Sequence, residues 1–325
     1  MAQSRTKDMT QGSILPLIVK FSLPLLMGNL FQQTYNLVDT AIVGQTLGAK
    51  ALAAVGSSTS IQFLVMGFCI GMSLGFSIPV GQRFGAKDYS GMHRYEYAGG
   101  ILAALFAGLV TLLTTVFCNH ILHLLQVPEE IFHDAWVYLI IIFCEIPFTV
   151  MYNYLAGLMR AIGDSKTPFI YLAVASILNI GLDFLFIVNV GMGVAGAALA
   201  TVLSQALSAL LCLYAVARRY DVLHIEEEAR HYDFLEGRDL MGIGIPMGLQ
   251  YSITAIGSMV MQSANNSLGT QFVSAFTAGT KIKLFLLAPF DAFATAVSTF
   301  VAQNFGARQT DRIRKGIYKG TIVSV

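Results

Sequence analysis

The chain has 325 residues, of which only 12% are charged, against about 25% in ordinary soluble domains. Hydrophobic residues make up 55% and the mean hydropathy is +0.65, too apolar for a soluble fold to cover its surface. A net charge of +1 without a basic stripe also excludes disorder and nucleic-acid binding, so an all-α integral membrane protein is expected.

Residues 1–12 are polar. The apolar segment starting at Ile14 is too long for a signal-peptide core and lacks a small-residue cleavage site, so no cleavable signal is expected. Stretches long enough to cross a bilayer follow at 14–43, 51–81, 96–119, 131–158, 168–189, 193–217, 239–264 and 272–302, and another begins near Gly316. Helices are expected throughout, because no alternating barrel pattern is present and only closed hydrogen-bonding elements cross lipid. Pro24, Pro79, Pro147, Pro246 and Pro289 fall within these stretches as bends. Cys69, Cys118, Cys144 and Cys212 lie in apolar runs without paired spacing and read as small core residues.

The polar gaps alternate in charge. With the N-terminus inside, 17 of the 20 basic residues fall on inner loops and flanks, Arg83, Lys87, Arg160 and Arg308 among them, and the outer gaps hold only Lys50. This bias predicts a multi-pass protein of the cell membrane with a cytoplasmic N-terminus.

Gly81-Gln-Arg-Phe-Gly-Ala-Lys87 returns as Ala302-Gln-Asn-Phe-Gly-Ala-Arg308, an offset of 221 residues. Sliding 44–88 by that offset gives 11 identities in 45 positions, where chance gives about three. Six spans precede the repeat, and an even number returns the chain to the same side, so the halves are expected to be parallel repeats about an axis along the membrane normal. The organisation expected is an N-terminal lobe of six helices over 1–219, a cytoplasmic linker over 220–237, and the start of a C-terminal lobe over 238–325 with helices 7, 8 and part of 9. A complete second copy would end near residue 440, so a chain truncated in the second lobe, with about three of twelve helices missing, is expected. Glu226-Glu-Glu228 in the linker reads as a solvated surface.

A carboxylate at membrane depth costs a few kcal/mol unless it is paired, protonated or wet. Four fall within spans: Asp39, Glu145, Asp183 and Asp291. Asn179 and Asp183 share a helix face. About 1.5 Å per residue from Pro168 puts Asp183 roughly 22 Å up from the inner surface, a depth similar to that of Asp39. Such a set can bind a proton or Na⁺, or it can be a structural polar knot. Glu145 precedes Ile146-Pro147 and can bond backbone groups that the proline frees. Asp291 lies two turns from Lys283, which allows either an internal ion pair or a substrate contact.

Gly191-Met-Gly-Val-Ala-Gly196 matches a dinucleotide-binding string but joins two membrane helices with no preceding strand, so it carries no weight. Gly67, Gly71 and Gly75 form a small-residue ridge suited to packing helices. His120 and His123 lack further ligands, so no metal centre is expected. No nucleophile triad, phosphate loop or ATPase motif is present, so the chain is not expected to be an enzyme, and an ion gradient or a partner must supply any energy.

Leu23-Pro-Leu-Leu, Tyr35-Asn-Leu-Val-Asp-Thr-Ala-Ile-Val-Gly44, Ala51-Leu-Ala-Ala-Val-Gly56, Gly81-Gln-Arg-Phe-Gly-Ala and Arg160-Ala-Ile-Gly-Asp-Ser-Lys-Thr-Pro168 resemble the multidrug and toxic compound extrusion (MATE) transporters. The resemblance covers essentially the whole chain. It implies twelve helices in two six-helix lobes, export of organic cations and other amphipathic small molecules in exchange for H⁺ or Na⁺, no cofactor, and action as a monomer in the bilayer. It also implies a cation site in the first lobe at Asp39, Asn179, Asp183 and Thr201. Gln33, Tyr35 and Asn36, with Gln250, Gln262, Lys283 and Asp291, are candidates for the substrate cavity. One departure is that 240–268 contain no acid, so the glutamate some relatives place in helix 7 for Na⁺ is missing. The rival readings are a related exporter of a lipid-linked or anionic substrate, which basic residues in the cavity would favour, and an ion-only carrier or channel.

Overall fold

The computed structural model describes residues 6–266 and 270–324; over 262–282 it describes the backbone alone, Gly279 apart, and likewise at 323–324. Helix α1 (Ile14–Gly85) runs through the first two expected spans and is broken at Gly48, where φ is 84°. Glycine enters this left-handed region without steric cost, and the chain turns there. Helix α2 (Tyr89–Val116) and the short α3 (Cys118–Leu124) follow. The fourth expected span divides into α4 (Glu129–Phe143) and α5 (Ile146–Ala161). Pro147 sits in the first turn of α5, where its missing N–H leaves no intrahelical bond unmade. Helix α6 (Lys166–Asp183) passes into one π-helical segment, Phe184–Asn189, and α7 (Val194–Arg219) completes the first half.

The second half holds α8 (Phe234–Asn266), α9 (Thr270–Gly306) and α10 (Thr310–Ser324). Seven helices are long and apolar enough to cross a membrane, and no strand occurs among the described residues. Two details differ from the sequence reading. Helix α10 starts at Thr310 rather than near Gly316, because its first turns are polar and gave no hydropathy signal. Cys144 is exposed at the break between α4 and α5, whereas the other three cysteines are buried.

The stretch between the halves is anchored at both ends. Tyr220 is buried and its hydroxyl donates to Asp164 Oδ2 at 2.6 Å, and Leu223 and Ala229 are buried too. Glu226, Glu227 and Glu228 face solvent as expected.

The glycine ridge packs the halves together. A Cβ at Gly71 would lie 2.6 Å from the Met247 carbonyl oxygen, and one at Gly75 would lie 2.6 Å from Gly244 Cα. At the basic end of the bundle the two repeat motifs meet reciprocally. A methyl on Gly85 would strike the Gln303 carbonyl, and one on Gly306 would strike the Gln82 carbonyl. Because 85 pairs with 306 and 82 with 303 at the repeat offset, this contact has the two-fold form expected of parallel repeats.

The segment before α1 is threaded into the same seam. The Lys7 N–H donates to the Ile162 carbonyl at 3.0 Å, and the Met9 N–H donates to Gln303 Oε1 at 2.8 Å. The Met9 carbonyl accepts from Asn304 and Arg312, each at 3.2 Å, and the Met9 side chain is fully buried. Gln303 Nε2 also donates to the Ala161 carbonyl at 2.8 Å.

Overpacking a close helix contact costs about 1–3 kcal/mol. Gly75→Ala is therefore expected to lower the melting temperature of the purified protein in detergent. Gly108→Ala, facing open space on α2, should leave it unchanged or raise it.

Candidate functional site

Three of the four acids at membrane depth, Asp39, Glu145 and Asp183, lie in the first half. Asp183 ends α6 and is fully buried, and Asn179, one turn earlier on the same face, is 2% exposed. The π-helical segment begins directly after Asp183; such segments widen a helix and often mark functional positions. Asp39 on α1 is half-buried and lies within electrostatic reach of Asp183. Thr201 on α7 donates its hydroxyl to the Ala197 carbonyl at 3.1 Å, within its own helix, leaving its oxygen lone pairs free to accept.

Both carboxylate oxygens of Asp183, both amide atoms of Asn179 and Oδ1 of Asp39 are buried without a hydrogen-bond partner among the described residues. A buried polar group left unpaired costs about 1–3 kcal/mol, and five such atoms on neighbouring residues form an acceptor-rich pocket. They suit a proton shared between carboxylates or a small hard cation with oxygen ligands.

An apolar layer covers this pocket one turn farther from the basic end. Ile42 follows Asp39 by three residues, Ile187 follows Asp183 by four, and Ala197 precedes Thr201 by four on the oppositely running α7; all three belong to one buried cluster with Tyr138 and Ile142. Excluding water on that side strengthens the electrostatics within.

Two residues join the pocket that the sequence reading did not place there. Tyr138 lies within electrostatic reach of Asp39, Asp183 and Glu145 together, as Tyr35 does, which brings Glu145 to the same neighbourhood. Among the described residues, the Glu145 side chain bonds no freed backbone group. Its Oε1 accepts from the Thr149 hydroxyl at 2.8 Å, one turn into α5. Glu145 carried a signal, as an acid at depth; Tyr138 carried none, since a tyrosine in a span reads as ordinary core.

The cavity candidates are more scattered. Gln33 and Tyr35 are half-buried, and Asn36, Gln250, Lys283 and Asp291 are exposed. No ion pair joins Lys283 to Asp291; eight helical residues set them about 12 Å apart, too far for direct contact. The Gln262 side chain, with those of Asn265, Asn266 and Lys281, lies outside the described residues. Arg160, read from sequence as an inner flank, is only 9% exposed, and no acid lies within 4 Å of it among the described residues. It sits in the last turn of α5, where the helix carbonyls favour a cation. Tyr251 on α8 is within electrostatic reach of both Arg160 and Asp291.

The MatE family pattern matches residues 24–185 and 246–325. A "Probable multidrug resistance protein YpnP" of Bacillus subtilis is 34% identical over 94% of this chain and 68% of its own length. An "FAD transporter" of Shewanella oneidensis is 26% identical over 92% of this chain and 67% of its own. A solved structure described as "Outward-facing conformation of a multidrug resistance MATE family transporter of the MOP superfamily" superposes with a TM-score of 0.92 at 24% identity, covering 99% of this chain and 72% of that one.

A hydrophobic carbodiimide modifies protonated carboxyls in apolar surroundings. Labelling mapped by mass spectrometry is expected at Asp183 or Asp39, and Asp183→Asn should remove the Asp183 adduct. Adducts confined to exposed acids such as Asp221 would show that the pocket carboxylates hold no proton.

Proposed function

This chain belongs to the MatE family of membrane transporters, and on that premise we propose that it exports amphipathic or cationic small molecules in exchange for H⁺ or Na⁺. The observation that carries this reading is the cluster of unpaired buried oxygens on Asp39 and Asp183, with the Asn179 amide beside them. Thr201 completes the ligand set from α7.

Alternating access follows from how these groups are mounted. Asp39 lies on α1, Asp183 on α6 and Thr201 on α7. A proton or Na⁺ entering the pocket removes the repulsion between the carboxylates and draws the three helices together. Because the first span of α1, which carries Asp39, packs on α9 through Ile14, Ile18 and Phe21 and donates from Asn29 Nδ2 to the Ala288 carbonyl, its position inside the first half is coupled to how the halves pack. A ligand shifts such an equilibrium only by its differential affinity for the two arrangements. Charge neutralisation supplies that difference here. Bound substrate leaves on the side away from the basic end, and the cation leaves after the halves have rocked to open the other.

In this reading the basic end and the N-terminus face the cytoplasm, in line with the charge bias. The lobes are 1–219 and 238–325, joined by 220–237. The phenylalanines and methionines, 22 and 13 in number, suit a cavity that repacks around varied ligands.

A second reading, export of an anionic solute, draws support from Arg160, a buried cation without an acid beside it. The Shewanella oneidensis relative is named for an anionic cargo.

Everted vesicles carrying the protein, given a pH gradient and then a Na⁺ gradient, test both. Accumulation of a fluorescent organic cation should follow one gradient and fall to the level of empty vesicles in Asp39→Asn and Asp183→Asn. Full gradient-driven activity in both variants would sink the mechanism. Uptake of an anionic dye in place of the cation would establish the second reading.

A further inference from the structure

Beyond the carboxylate pocket, the bundle holds a cavity of about 1310 Å³ at its basic end, walled by both halves. Four cations line it: Arg83 and Lys87 from the first half, Arg238 and Arg308 from the second. Asp239 is the one acid in the same lining.

The acids nearby are already engaged. Arg83 Nη1 is 2.9 Å from Asp88 Oδ2, and its guanidinium lies 5.3 Å from the centre of the Tyr95 ring. The Tyr95 hydroxyl donates to Asp239 Oδ2 at 3.0 Å. Lys87, Arg238 and Arg308 have no acid within 4 Å among the described residues. Lys87 and Arg308 hold the same position in the two repeats and the same left-handed backbone, with φ of 58° and 57°. Each stands two residues before a helix start, Tyr89 of α2 and Thr310 of α10, where helix N–H groups add positive potential.

A general bias toward basic residues at the inner surface would spread these cations along the rim. Here they face one concavity from both halves, where like charges held close repel one another and an anion relieves the repulsion. Arginine forks match phosphate oxygens in pairs, and lysine serves as a point charge. The space is ample, since small-molecule pockets usually measure about 300–1,000 Å³.

We propose that this cavity binds a phosphate-bearing anion that touches both halves and holds them together at the basic end. An anion contacting residues from both halves binds best while that end is closed, and it stabilises the closed arrangement in proportion to its occupancy. The phosphate can belong to a lipid headgroup or to a soluble compound.

Unfolding of the purified protein in detergent can be read with a thiol-reactive dye in a Cys144→Ser background, because Cys69, Cys118 and Cys212 are buried and free and Cys144 alone is exposed. The probes are inorganic pyrophosphate and short-chain phosphatidylglycerol, with short-chain phosphatidylcholine as the lipid control. A rise in melting temperature with pyrophosphate identifies soluble phosphate as a ligand. A rise with phosphatidylglycerol alone identifies the headgroup. In either case the shift should vanish in Arg238→Gln/Arg308→Gln and persist in Arg218→Gln, an exposed cation outside the lining. Equal shifts in all three proteins, or no shift with either probe, would overturn the proposal. Should the double variant fold poorly, Lys87→Gln offers a single change at an exposed turn, and a shift undiminished there would count equally against it.

Discussion

The architecture depends on how closely two helices can approach when no side chain stands between them. Along Gly67, Gly71 and Gly75 the backbone of α1 meets that of α8 near Gly244 and Gly248. In lipid the hydrophobic effect does not drive helices together, so close van der Waals packing of small residues must do so. The Gly85 and Gly306 contacts continue the same seam to the basic end, where backbone meets backbone on both sides of the pseudo-two-fold axis. The threaded Met9 segment joins this seam at its basic end, and a second contact runs along the first span of α1, where Ile18 and Phe21 pack with Phe293 and Phe300 of α9.

Beside this hydrogen-bonded seam, the Asp39–Asp183 pocket is under-satisfied. Gln303, Asn304 and the Met9 backbone exchange hydrogen bonds with one another, whereas Asn179 and Asp183 on α6 have none on their side chains. Five unpartnered buried atoms gather on three residues where helices of one half converge, whereas at the seam Gln303 is bonded through both amide atoms and Asn304 keeps only its Oδ1 unpartnered. A transporter needs both: a site whose energy changes with charge, and a contact rigid enough to convert that change into motion.

Much of this was legible in the sequence. Hydropathy located the spans, the Gln-Phe-Gly-Ala repeat announced the two-fold, and the cost of a charge in lipid singled out Asp39, Glu145, Asp183 and Asp291. The ridge at Gly67, Gly71 and Gly75 packs helices as its spacing implied. What stayed hidden depends on distance along the chain. Arg160 reads as a flank because a helix end is the usual place for arginine, and only the packing of α5 shows it buried. The break at Cys144–Glu145 leaves no mark in a hydropathy window that spans it. The polar stretch before Ile14 has no periodicity at all, and its structure is set by partners far away in sequence.

That last feature has a bearing on assembly. Met9 is bonded to Gln303 and Arg312, which follow it by 294 and 303 residues. At a synthesis rate of about 5–20 residues per second, the ribosome needs roughly 15–60 s between making the strap and making the groups that hold it. Within the last third of that interval α1 to α7 are complete, yet until Gln303 is made Lys7 to Thr10 have only half of their binding groove, the Ile162 side. Closure of the seam is therefore a late step, and a segment that appears early in the chain takes its final place among the last.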